Sequence, residues 1–142
     1  MLSLFLVALA SATLLPGGSE IWLARLWCLG EPVVWLWVVA TSGNTLGSLT
    51  NVWLGRYARR FQHRRWFPAT PEGLDRAERW YHRLGEVSLL LSWLPVVGDP
   101  LTVLAGVFRL PWWRAVLWIM IAKGGRYAVV LVLAHHWLAP LC

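Results

Sequence analysis

The sequence predicts an all-α membrane protein built as two inverted repeats, each a re-entrant helical hairpin plus a transmembrane helix, with an amphipathic cytoplasmic helix between them. Three observations predict it. Of 142 residues, 58% are hydrophobic and only 14% charged, with a mean hydropathy of +0.54. A soluble domain carries about 25% charged residues and would have too little polar surface with this composition. Apolar segments are interrupted by Pro/Gly breaks, and the prolines and acids at those breaks recur at one offset in the two halves. The whole chain, 1–142, reads as a single membrane domain.

The first hairpin is expected over 1–29, as apolar arms 2–15 and 21–29 around Pro16-Gly17-Gly18-Ser19-Glu20. Neither arm is long enough to cross about 30 Å of hydrocarbon, so the chain must enter and leave on one face, its broken backbone buried in protein or facing a wet cavity. A single kinked span is the alternative. Residues 1–12 end in Ala10-Ser11-Ala12, a signal-peptidase-like sequence, yet no Lys or Arg precedes the apolar run, so retention is expected. Next comes an uncharged transmembrane helix over 32–54. The second hairpin is expected over 87–109, broken around Pro95 to Pro100, and the second transmembrane helix over 111–138. Pro16 and Pro95, Glu20 and Asp99, and Pro32 and Pro111 all stand 79 residues apart. A hairpin makes no net crossing and a span makes one, so the second repeat must sit inverted relative to the first.

Charge agrees with that topology. The net charge is +6, and eight of the 13 basic residues are arginines between Arg56 and Arg83. With Arg109 and Arg114 they fall on one expected face, the positive-inside signature of a cytoplasmic side. The absence of a basic patch beyond it argues against nucleic acid. Within this basic segment, 56–85, Thr70-Pro71-Glu72 starts a helix and Gly85 can end it. Leu74, Ala77, Tyr81 and Leu84 take one face and Arg76, Arg79 and Arg83 another, the pattern of an interfacial helix, with a solvated linker as the alternative. Twelve Trp, including Trp66, Trp112 and Trp113 beside spans, suit an aromatic belt. Cys28 and Cys142 lack metal-ligand spacing and read as small apolar fillers. His63, His135 and His136 have no partner cluster, so no metal site and no cofactor are expected, and no nucleophile–base pair argues for an enzyme.

Glu20 and Asp99 stand at the two breaks, where an idle charge costs at least about 2.5 kcal/mol. They are the proton- or ion-coupling candidates. Lys123 lies about 18 Å into the last helix and Arg126 shares its face. These two are the candidates for binding a phosphate head group, against a purely structural ion pair. Gly43, Gly47, Asn51 and Gly55 recur every fourth residue, favouring close helix packing. Asn44, Asn51, Ser19 and Trp93 are the pathway-lining candidates.

These residues carry a resemblance. Residues 11–20 (SATLLPGGSE), 43–51 (GNTLGSLTN), 90–99 (LLSWLPVVGD) and Lys123-Gly124-Gly125-Arg126-Tyr127 resemble the DedA family of bacterial inner-membrane proteins, also described by the SNARE-associated or VTT domain. Within that family the chain looks like the short YqaA-like branch. The resemblance implies two hairpins facing each other from opposite sides, each packed with a span. It also implies a role in moving lipids, undecaprenyl phosphate among them, in envelope integrity and in proton-dependent processes; eukaryotic relatives look like lipid scramblases. Longer members carry an acid directly after the first Pro-Gly, where this chain has Gly18, and arginines around the second motif, where Trp93 and Asp99 stand here. The expected function is a membrane transporter or flippase for an anionic, phosphate-headed lipid in the inner membrane, coupled to protons. The expected partners are membrane lipids, protons and a second copy of the chain. A non-transporting envelope-assembly protein and an ion or small-solute carrier are the alternatives.

Overall fold

The computed structural model describes residues 1–12, 17–58, 71–93 and 98–142. Pro16 and Pro95, the breaks themselves, and His63 and Trp66 lie outside the described residues, as do the side chains of Trp93 and Asp99. The described chain is helical throughout: α1 (Leu2–Ser11), α2 (Gly18–Cys28), α3 (Val33–Ala58), α4 (Pro71–Leu84), a 3-10 helix (Glu86–Trp93), α5 (Gly98–Val107) and α6 (Trp112–Leu138). Prolines set both long helices: α3 follows Pro32, and Pro111 is the N-cap of α6. The starts of α3 and α6, Val33 and Trp112, keep the 79-residue offset.

Helices α3 and α6 run antiparallel. The Trp37 indole N–H donates to the Gly124 carbonyl (2.8 Å), while at the other end the Arg56 guanidinium lies 4.7 Å above the Trp112 ring. Helix α1 runs parallel to α3, because Gly43 faces Phe5 and Ala8 while Gly47 faces Leu9 and Ala12. Helix α2 runs parallel to α6: Ser19 meets Tyr127 and, further along, Trp27 packs edge-on against His135 at 5.9 Å. Helix α1 therefore lies along the middle of α3, from Gly43 to Asn51, and α2 lies beside the C-terminal half of α6. The 3-10 helix and α5 pack at the other half of the molecule. Each half has its own apolar core: Leu4, Leu23, Leu36, Ala40, Tyr127 and Leu131 in one, Val52, Leu89, Ala105, Leu110, Ala115 and Ile119 in the other.

Several expectations need adjustment. Helix α3 continues to Ala58, beyond the expected end at 54. Among the described residues only α6 is both long and apolar enough to cross a membrane on length and composition alone. Helix α3 has the length, but Thr41, Asn44, Thr45, Ser48 and Asn51 dilute its apolar residues, and all five are buried. The arm expected to open the second hairpin is a 3-10 helix of eight residues, unusually long for that geometry. The cysteines are not apolar fillers. Cys28 and Cys142 have Cα atoms 5.2 Å apart and form a disulfide. Their separation of 114 residues hid the pairing, which only the parallel packing of α2 against α6 brings about.

Candidate polar centre between α2, α3 and α6

Buried polar side chains stand beside the two apolar cores, while large apolar side chains cover much of the surface. Lys123, Asn44, Ser19, Ser48, Ser92 and Thr102 are all buried to 1% exposure or less. Trp35, Ile21, Leu117, Val132 and Trp137 are half exposed or more. A soluble protein has the reverse distribution, and an exposed apolar surface of this extent needs a non-aqueous neighbour.

The polar groups converge where α2 begins beside the middle of α6. Gly17, at φ +94°, turns the chain into α2 and sets Ser19 and Glu20 in its first turn. The Tyr127 hydroxyl donates to Ser19 Oγ (2.8 Å), and the Ser19 hydroxyl donates in turn to Glu20 Oε2 (3.4 Å). The Arg126 guanidinium pairs with the other carboxylate oxygen of Glu20. Arg126 and Glu20 keep 12% and 19% of their side-chain surface, so the pair is largely removed from solvent but not sealed. Lys123 lies on the same helix, three residues before Arg126 and four before Tyr127, and is buried.

On the α3 side, Asn44 Nδ2 donates to the Ala8 carbonyl and to Ser11 Oγ, both at 2.9 Å, and Asn51 Nδ2 donates to the Ala12 carbonyl at 2.9 Å. Two of the acceptors are carbonyls at the C-terminal end of α1, where a helix runs out of backbone donors; the third is the Ser11 hydroxyl, which itself donates to the Ala8 carbonyl (2.9 Å). Thr41 Oγ1, Asn44 Oδ1, Thr45 Oγ1 and Ser48 Oγ follow the α3 face at helical spacing. With Ser92 Oγ of the 3-10 helix, they are buried and have no hydrogen-bond partner among the described residues. They leave a run of acceptors and hydroxyl donors available to water, a proton or a polar ligand.

The structure thus brings together Glu20, Arg126 and Ser19, with Lys123 buried three residues before Arg126 on α6. Asn44 and Asn51 are engaged on α1. Asp99 falls in the first turn of α5 and Trp93 ends the 3-10 helix. Sequence reasoning missed Tyr127, Ser11 and the hydroxyl row of Thr41, Thr45 and Ser48. The four-residue step from Lys123 to Tyr127 was the available signal for the first, and the Thr/Ser spacing in α3 for the row.

Fold and centre together define a helical protein that sets an apolar exterior around a partly buried ion pair and a row of hydroxyls. Comparison with known proteins agrees with this class. Residues 5–136 match the VTT domain, and the chain belongs to the VTT-domain family, the DedA family. It is 43% identical to the inner membrane protein YqaA of Escherichia coli, over 92% of this chain and 87% of that protein. The same identity and coverage hold for the inner membrane protein YqaA of Shigella flexneri. An uncharacterized protein of Haemophilus influenzae is 36% identical over 95% of this chain and 87% of its own length. No solved structure matches the chain.

Proposed function

We propose that the chain is a multi-pass inner-membrane transporter that moves an anionic, phosphate-headed lipid between leaflets, with proton exchange at Glu20. The Glu20–Arg126 pair beside the middle of α6 carries the reading. The surroundings that support it are two long antiparallel helices and two short helix pairs. At about 15 Å each, α1 and α2 are half the hydrocarbon thickness. Because α1 runs parallel to α3, α2 parallel to α6, and α3 antiparallel to α6, the chain travels in along α1 and back along α2. That is the path of a re-entrant hairpin. The 3-10 helix and α5 at the opposite half make the second, inverted one. Burial of the polar α3 face against its neighbours lets α3 serve as a span despite its composition.

In the resting state Arg126 is committed to Glu20. Protonation of Glu20 removes the counter-charge and frees the guanidinium, which can hold a phosphate through paired N–H bonds while Lys123 adds a second positive charge. Head group and proton then load at one centre, and the hydroxyls of Thr41, Thr45 and Ser48 offer polar contacts along α3. The basic segment 56–85 lies on the cytoplasmic side in this orientation. Reconstitution in liposomes with a fluorescent phosphate-headed lipid tests the reading. Lys123→Ala and Arg126→Gln should slow flipping by roughly ten- to a hundredfold, the loss of one charge-assisted contact. Glu20→Gln should flip without responding to an imposed pH gradient, and Asp99→Asn examines the acid at the second break. Wild-type rates for all four variants at equal reconstituted amount would remove the reading.

A scaffold role in envelope assembly is the second reading. It is favoured by the cross-links that tie α2 to α6: Ser19–Tyr127, Glu20–Arg126, Trp27–His135 and the disulfide. That reading expects the same variants to lower the amount of folded protein in the membrane, with no turnover to lose.

A further inference from the structure

We infer that helix α4 carries a second, peripheral site, which takes the head group of an anionic two-chain phospholipid of the leaflet it faces. Arg76, Arg79, Trp80 and Arg83 line a recess of about 230 Å³. Three guanidiniums bordering one recess repel each other, and among the described side chains no carboxylate lines it. Arginines so placed act as a receptor for an anion, and their planar forks suit a phosphate diester.

Two features select a lipid over a free anion. The Trp80 indole, part of the recess wall, is 64% exposed, and Leu84, one turn further along, is 50% exposed. Apolar surface thus begins where the charge ends, as an interfacial helix requires. The helix is also held against the membrane body. Tyr81 stacks on Phe108 at 4.9 Å, and the Gly85 N–H closes the helix on the Tyr81 carbonyl at 2.6 Å. That contact is at the α5–α6 junction, the end of the molecule where Arg56, Arg109 and Arg114 also gather, so the recess adds to a face already positive. The site is separate from the Glu20–Arg126 centre and stands whether or not the chain transports lipid.

The test is titration of the full-length protein, purified in uncharged detergent, with dioctanoyl phosphatidylglycerol, dioctanoyl phosphatidylcholine and inorganic phosphate, read by thermophoresis. Phosphatidylglycerol should bind and the other two should not. Replacing Arg76, Arg79 and Arg83 together by Gln should weaken that binding by roughly a hundredfold, and Arg79→Gln alone by about fivefold. Arg25→Gln, at the far end of the molecule, should leave it unchanged. Unaltered binding by the triple variant, with its elution and helicity intact, would overturn the site. Equal affinity for inorganic phosphate would overturn the lipid assignment, and equal affinity for phosphatidylcholine its ionic basis.

Discussion

Asn44 illustrates what a polar side chain can do in a membrane that it need not do in water. A helix that ends inside protein leaves its last carbonyls without partners, and no solvent reaches them. Asn44 and Asn51 supply amide protons to Ala8, Ser11 and Ala12 at the end of α1, and so make that ending tolerable. Asn44→Leu keeps the bulk but strips two hydrogen bonds, one of them from a backbone carbonyl. It should lower the thermal stability of the detergent-solubilised protein by about 1–3 kcal/mol. Thr50→Ala serves as the control. The Thr50 hydroxyl bonds only to the Leu46 carbonyl of its own helix and is exposed, so its removal should shift the melting curve little. A melt that moves equally for both would show that the end of α1 does not depend on the amide.

At the level of helices, the fold is held by backbones brought into direct contact. A Cβ added at Gly55 would strike the Val103 carbonyl, and one at Gly106 the Val52 carbonyl, so α3 and α5 cross with only hydrogen between them. Such contact is what drives association when the surroundings are as apolar as the side chains. Gly106→Val should therefore force the helices apart and cost at least the 1–3 kcal/mol typical of overpacking. Gly125→Ala should be neutral or stabilising by up to about 1 kcal/mol, because nothing lies within 4 Å of its added Cβ and helix propensity improves. Fluorescence-detected size exclusion after a heat step would rank the two, and similar survival would contradict the crossing. The four-residue spacing of Gly43, Gly47 and Gly55 announced close packing in the sequence, and Pro32 and Pro111 announced the starts of α3 and α6. The 3-10 form of 86–93 was not announced. A run such as Glu86–Trp93 has ordinary helical composition, so nothing in it separates 3-10 from α winding. Arg126 and Lys123 are likewise interchangeable on the sequence. Periodicity places both on one face but does not say which of them meets Glu20.

Across the whole molecule the two ends are chemically unlike. One gathers Arg56, Arg109, Arg114 and the arginines of α4; Arg56 there donates to the Leu110 carbonyl (2.5 Å) and covers the Trp112 ring. The other holds Arg25, His135, His136 and the disulfide from the end of α2 to the last residue of the chain. Basic residues accumulate on the cytoplasmic side, and disulfides persist where glutathione and thioredoxin do not reach. Two unrelated rules thus support the proposed orientation, and only the first could be applied to the sequence. The proposed orientation expects Cys28 and Cys142 on the periplasmic side in an oxidised state. Intact spheroplasts treated with a membrane-impermeant maleimide of large mass should give no shifted band before reduction. After an impermeant phosphine reductant they should give a doubly shifted one. The Cys28→Ser variant should show a single shift without any reductant, through the thiol left at Cys142. Labelling that appears only after the inner membrane is opened would put the cysteines in the cytoplasm. It would invert the topology and leave the arginines of α4 facing the wrong leaflet.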